Sequence, residues 1–133
     1  MTSGHNRWSI HSMNMTNNVI LNTHRGEPFA FLNDAEAAAL GIGNGDLIRV
    51  FNDYGEMRIA AKTTASCRPG QLIVYNGFEP YMHEGWNSQS DVEPGHIKPL
   101  GLVGNYGQLK YRMFSWQPIP ADRAVRVDIE KVS

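Results

Sequence analysis

From Glu56 to Lys62 the chain alternates: Met57, Ile59 and Ala61 fall on one side, and Glu56, Arg58, Ala60 and Lys62 on the other. A period of two sends successive side chains to opposite faces, so the stretch predicts a half-buried antiparallel strand. Turn chemistry bounds it, with Asp53-Tyr54-Gly55 before and Arg68-Pro69-Gly70 after. Leu47 to Asn52 and Gln71 to Tyr75 then read as its neighbours in the chain. Phe29 to Leu32 is a further short strand, as is the apolar run Val19-Ile20-Leu21. Val125, Val127 and Ile129 alternate with Arg126, Asp128 and Glu130, which predicts a closing strand.

A single short helix is legible. Asn33 and Asp34 are good N-cap residues, Asp34 to Leu40 is alanine-rich, and Gly41 ends the run as a C-cap glycine. Such a helix has only about two turns and needs packing to persist. Ala35, Ala38 and Leu40 are the positions expected to be buried. Ile42 to Asp46 forms a tight turn around Asn44-Gly45. About six short strands, a short helix and long polar loops predict a mainly β domain. Closure into a small barrel would remove exposed strand edges and is the favoured architecture, with an open sandwich as the alternative.

The 133 residues suit one domain, and 41% hydrophobic residues suffice for a core without a disulfide or metal staple. A net charge of -1 disfavours general nucleic-acid binding. Cys67 is the single cysteine, so neither an internal disulfide nor a thiolate metal cluster can form within the chain. It reads as an inert turn or strand-end thiol, although Arg68 beside it is a cation of the kind that lowers thiol pKa values. No apolar stretch approaches the roughly 20 residues of a membrane helix, so no direct membrane insertion is expected. The N-terminus has no secretory pattern. Met1 to His5 reads as an arbitrary domain cut or a cloning scar, and the compartment stays open.

Two regions lack any period. Residues 1–18 are polar and irregular, with Trp8 and Ile10 as exceptions, and read as an N-terminal arm before a domain at 19–133. Asn76 to Pro99 is a long proline- and glycine-containing loop carrying Glu79, Tyr81, His83, Trp86 and Asn87; loops of this length inside a domain are usually functional. Motifs for direct catalysis are missing, including nucleophile elbows, phosphate loops and zinc-protease helices. Gly41, Gly43 and Gly45 follow a helix and not a strand, so a Rossmann fingerprint does not apply. The five histidines are widely spaced and define no metal geometry. What remains is a set of donors in loops: Arg7, Ser9, His11 and Ser12, then His24, Arg25 and Gly26. An arginine fork and consecutive glycine amides suit phosphate or a heterocycle edge.

Several spaced motifs occur in order: Trp8-Ser9-Ile10-His11-Ser12, Arg25-Gly26-Glu27-Pro28, Asn33-Asp34-Ala35, Leu40-Gly41-Ile42, Gly45-Asp46, Asn52 with Gly55, Gly104-Asn105-Tyr106-Gly107, and Tyr111. Together they resemble the C-terminal molybdopterin-dinucleotide-binding domain of the dimethyl sulfoxide reductase superfamily, from about Arg7 to Val132. The Ile-His-Ser and Gly-Asn-Tyr-Gly segments look most like the branch with respiratory nitrate reductase, perchlorate reductase, and the ethylbenzene and steroid dehydrogenases. The resemblance implies a double-psi β-barrel at 19–133. It also implies a molybdenum bis(pyranopterin guanine dinucleotide) cofactor, held mostly by domains outside this chain, for oxygen-atom transfer or hydroxylation. Expected partners are those other domains of the catalytic subunit and an iron-sulfur electron-transfer subunit.

By that resemblance Ser9, His11 and Ser12 form a cofactor-contacting arm, Arg25 is a nearby donor, and Asn105 and Tyr106 face the cofactor where Gly104 and Gly107 allow close backbone approach. The chain itself supplies no catalytic residue and no metal ligand, and the isolated chain is expected to be inactive. Asn33 and Asp34 are better read as a helix cap, and Asp46 and Asn52 as turn formers. The 76–99 loop lines a substrate funnel or faces the electron-transfer subunit. The competing reading is a non-catalytic adaptor barrel, motivated by Trp8, Trp86 and the same loop.

Overall fold

The computed structural model describes residues 1–5, 16–93 and 125–132, with the side chains of His24 and Arg25 outside that description. Six strands form one sheet: β1 (Thr2–Gly4), β2 (Phe29–Asn33), β3 (Leu47–Phe51), β4 (Glu56–Thr64), β5 (Ile73–Tyr75) and β6 (Asp128–Lys131). Their spatial order is β1-β5-β2-β4-β3-β6. Short helices α1 (Asn18–Ile20), α2 (Asp34–Ala39) and α3 (Gln89–Val92) lie between them.

The alternation in β4 becomes burial as expected: Met57 and Ala61 are fully buried and Ile59 nearly so. β4 is antiparallel to β3 and also parallel to β2, with Phe29 opposite Ala60 and Asn33 opposite Thr64. The core gathers the matching faces of β2 (Ala30, Leu32), β3 (Ile48, Val50) and β5 (Val74), with Val127 and Ile129 packed against it. Each fully buried aliphatic side chain contributes about 1.5–3 kcal/mol through removal from water.

The sheet is not a closed double-psi barrel. β1 pairs only with β5 and β6 only with β3, so these two strands are open edges. Among the described residues a single hydrogen bond spans the two margins, from the Met1 ammonium to the Val125 carbonyl. Closure was expected because exposed edges are costly. Here the edges are blunted instead by brevity and charge, with Asp128, Glu130 and Lys131 exposed along β6.

Two local expectations also change. Val19-Ile20-Leu21 is not a strand but helical backbone, continuing into a π-helical turn over Leu21–Arg25. The Asn17 side chain accepts from the Val19 and Ile20 amides at 3.0 and 3.4 Å, and the Thr23 hydroxyl donates to the Val19 carbonyl at 2.6 Å. Local polar bonds thus outweigh the β-branched run. The sixth strand comes instead from Thr2–Gly4, within the segment read as a polar arm, where Ser3 is buried.

Helix α2 forms with Asn33 as its cap, the side-chain oxygen accepting from Ala35 and Glu36 amides at 3.1 and 3.2 Å. The Asn33 amide nitrogen donates to the Cys67 carbonyl at 2.9 Å, which fixes the helix's rotation. Gly41 follows at φ +67, with Ile42 N–H on Ala37 O at 2.8 Å and Gly41 N–H on Ala38 O at 3.1 Å. This is a Schellman stop. It turns Ala37 and Ile42 inward and leaves Ala35, Ala38 and Leu40 exposed, reversing the expected face.

Candidate functional site

The expected turn residues do structural work. Asn52 closes the β3–β4 turn, its side-chain oxygen accepting from the Tyr54 and Gly55 amides at 2.9 and 3.3 Å. Its amide nitrogen donates to Val92 O at 2.8 Å and to Arg126 O at 3.1 Å, so one side chain ties the turn to α3 and to the approach to β6. Asp46 accepts from the Gly43 amide at 2.7 Å and pairs with Lys131 at 2.6 Å; these contacts, the lysine first, lower its pKa. Cys67 is buried, and burial raises its pKa, so Arg68 does not activate it.

Ser9, His11, Ser12, Gly104, Asn105 and Tyr106 lie outside the described residues. Arg25 is the last residue of the π-helical turn, which Gly26 terminates at φ +57. The structure therefore places the backbone of one expected cofactor residue and the roots of two segments that carry the rest. Those roots are neighbours. The Ser3 hydroxyl, near the start of the arm, donates to the Glu93 carboxylate at 3.0 Å, with the Gln89 side-chain oxygen at 3.5 Å. Glu93 is the last described residue before the segment holding Asn105. No sequence period signals this pairing.

A cleft of about 660 Å³ opens between the sheet margins. Leu32, Leu40, Leu72 and Val127 contribute its apolar wall, and Gln71, Arg126 and Asp128 its polar groups. Neither the Arg126 nor the Asp128 side chain has a hydrogen bond or ion pair among the described residues. An apolar cleft of this size with a few convergent polar groups has the form of a small-molecule site. Among the described residues no group of three or more His, Cys, Asp or Glu is placed to hold a metal ion, and no helix is long and apolar enough to cross a membrane.

The 76–93 segment is ordered around His83. Its imidazole is buried, faces Phe78 edge-on at 6.5 Å, and has no partner for Nδ1. Burial lowers its pKa, and the nearby Asp91 carboxylate partly opposes that shift. Ser88 caps α3 in a capping box with Asp91, and Val92 is fully buried. Tyr81 and Trp86, by contrast, are exposed.

Residues 1–101 match the family model of the molydopterin dinucleotide binding domain. Chlorate reductase subunit alpha of Ideonella dechloratans is 35% identical over 129 residues, covering 97% of this chain and 14% of that protein. Perchlorate reductase subunit alpha of Dechloromonas aromatica (strain RCB) is 33% identical over 129 residues, again covering 97% of this chain and 14% of the relative. Among solved structures, acetylene hydratase from Pelobacter acetylenicus superposes with a TM-score of 0.54 at 18% identity, over 59% of this chain and 11% of that one. That last likeness bears on the fold alone. The chain thus spans about a seventh of the curated relatives it matches.

Proposed function

The chain belongs to the molydopterin dinucleotide binding domain family, related to chlorate and perchlorate reductase alpha subunits of the dimethyl sulfoxide reductase superfamily, and from that premise we propose that it helps hold a molybdenum bis(pyranopterin guanine dinucleotide) cofactor within a larger catalytic subunit. The observation that carries this reading is the family match over residues 1–101. When bound, the cofactor supplies redox chemistry at molybdenum, for oxygen-atom transfer or hydroxylation in the parent enzyme. This chain's share is binding, orientation and electrostatics. Its partners are the other domains of that subunit and an iron-sulfur electron-transfer subunit, and the chain alone has no activity.

The donor set suits such a ligand. Arg126 and Asp128 line a cleft with their charges uncommitted. A guanidinium fork matches phosphate oxygens, and a carboxylate accepts from the N–H edge of a guanine. Ser9, His11 and Ser12 on one segment, and Gly104, Asn105 and Tyr106 on the other, are the proposed contacts, with Arg25 beside them. The Ser3–Glu93 hydrogen bond supports a shared ligand, because both segments spring from adjacent points.

The test is to co-purify the chain with its parent domains and quantify bound guanine dinucleotide. His11→Ala combined with Asn105→Ala removes two hydrogen-bonding groups, and occupancy is expected to fall about tenfold. Unchanged occupancy overturns the contact assignment. A complex containing no guanine nucleotide at all overturns the function.

A further inference from the structure

We propose that the turn carrying Tyr81 and Trp86 is a docking surface for a protein partner that presents an apolar pocket rimmed by arginine or lysine. Tyr81 is 51% and Trp86 71% exposed, although both are large apolar side chains. Their rings meet at 6.5 Å between centroids and 62° between planes, forming one continuous aromatic ridge. Trp and Tyr are the residue types that most often dominate binding energy at protein interfaces.

The ridge is mounted on fixed backbone. Met82 N–H bonds to Glu79 O at 2.9 Å, His83 N–H to Pro80 O at 3.0 Å, and Trp86 N–H to His83 O at 3.2 Å. Between the two rings His83 is buried, and Glu84 is anchored to Arg58 of β4 at 3.1 Å. Trp86 itself sits at φ +62, a left-handed conformation that costs a bulky residue about 1–3 kcal/mol. Gly85 before it is at φ +70. The fold therefore spends strain to hold an indole outward, where it gains no burial. Preorganised rings lose little entropy on binding.

Charge selects the partner. Residues 76–93 carry Glu79, Glu84, Asp91 and Glu93 and no lysine or arginine. Arg58 offsets Glu84 alone, so the ridge is set in an anionic field. Glu79, next to the turn, has no side-chain partner among the described residues. A cationic rim complements that field, and a guanidinium stacks on an exposed indole.

The experiment uses the full 133-residue chain and titration calorimetry with a peptide of alternating arginine and leucine, against an alternating glutamate and leucine peptide as control. The basic peptide is expected to bind, and to bind more weakly as salt is raised. The informative variant is Trp86→Gly, because glycine suits φ +62 while removing the ring. Its melting temperature is expected to stay level or rise, with affinity for the basic peptide falling about tenfold or more. Tyr81→Ala should give a smaller loss. The proposal is overturned by failure of the basic peptide to bind, by equal binding of the acidic peptide, or by wild-type affinity in Trp86→Gly. It is also overturned if the chain dimerises through Trp86 in the absence of peptide, which would make the occupant a second copy.

Discussion

In β4 three alternate side chains, Met57, Ile59 and Ala61, enter a core shared by four other strands, whereas from Asn76 to Glu93 the only buried aliphatic side chain is Val92. The second region is fastened by single polar or steric fits. These are the buried His83 ring, the Ser88–Asp91 capping box, the Asn52 bond to Val92 O, the Ser3–Glu93 bond and the Arg58–Glu84 pair. A sheet built on repeated apolar contacts should fail as one cooperative unit. A segment built on separate fastenings should detach locally while the sheet stays folded.

The largest effect is expected from Met57→Ala, which empties a site with no solvent exposure and should cost about 2–5 kcal/mol in urea unfolding. Every strand amide should lose hydrogen-exchange protection together. Gly55→Ala comes next. A Cβ there would lie 2.6 Å from the Asp91 carbonyl oxygen, a backbone atom that cannot yield without moving α3. About 1–3 kcal/mol is expected, with exchange accelerating at 89–93 while β3 and β4 remain protected. Equal loss of protection across both regions would erase the proposed difference between them.

The smallest effect separates the regions by pH. Burial holds the His83 pKa below its ordinary 6.5, so the unfolded chain takes up the proton first. Stability attached to the neutral ring is complete above that value and is lost as pH falls through the lower folded value. Between about pH 7.5 and pH 5.5 the wild type should therefore lose more melting temperature than His83→Leu, which has no ring to protonate. The loss should appear first as exchange in the 78–93 segment. Parallel pH profiles for the two proteins would remove His83 from the account.

The same contrast explains what the sequence could reveal. Met57-x-Ile59-x-Ala61 repeats a physical requirement, so the strand was legible, as were the Asn33 cap and the Gly41 stop. The partners of β4 were not, because alternation says which face is buried and nothing about parallel pairing with β2. The buried face of α2 was misread because the Asn33–Cys67 bond and the Schellman stop set its rotation, and neither has a period. Val19-Ile20-Leu21 carried strand propensity, but Asn17 and Thr23 supplied local bonds that favour a helical turn. The barrel expectation failed because edge protection has more than one solution. For the cofactor site, residue types and motif order carried the reading; the structure adds the adjacency of Ser3 and Glu93, a fact of tertiary contact alone.

Residues 2–4 pair with residues 73–75, about seventy positions further along. At ribosomal rates of about 5–20 residues per second, the margin of the sheet waits roughly 4–14 seconds for its neighbour to be synthesised. During that interval β2, β3 and β4 can already associate. The oldest residues of the domain are then among the last to find their place, and a chaperone or a nascent partner has its opening there.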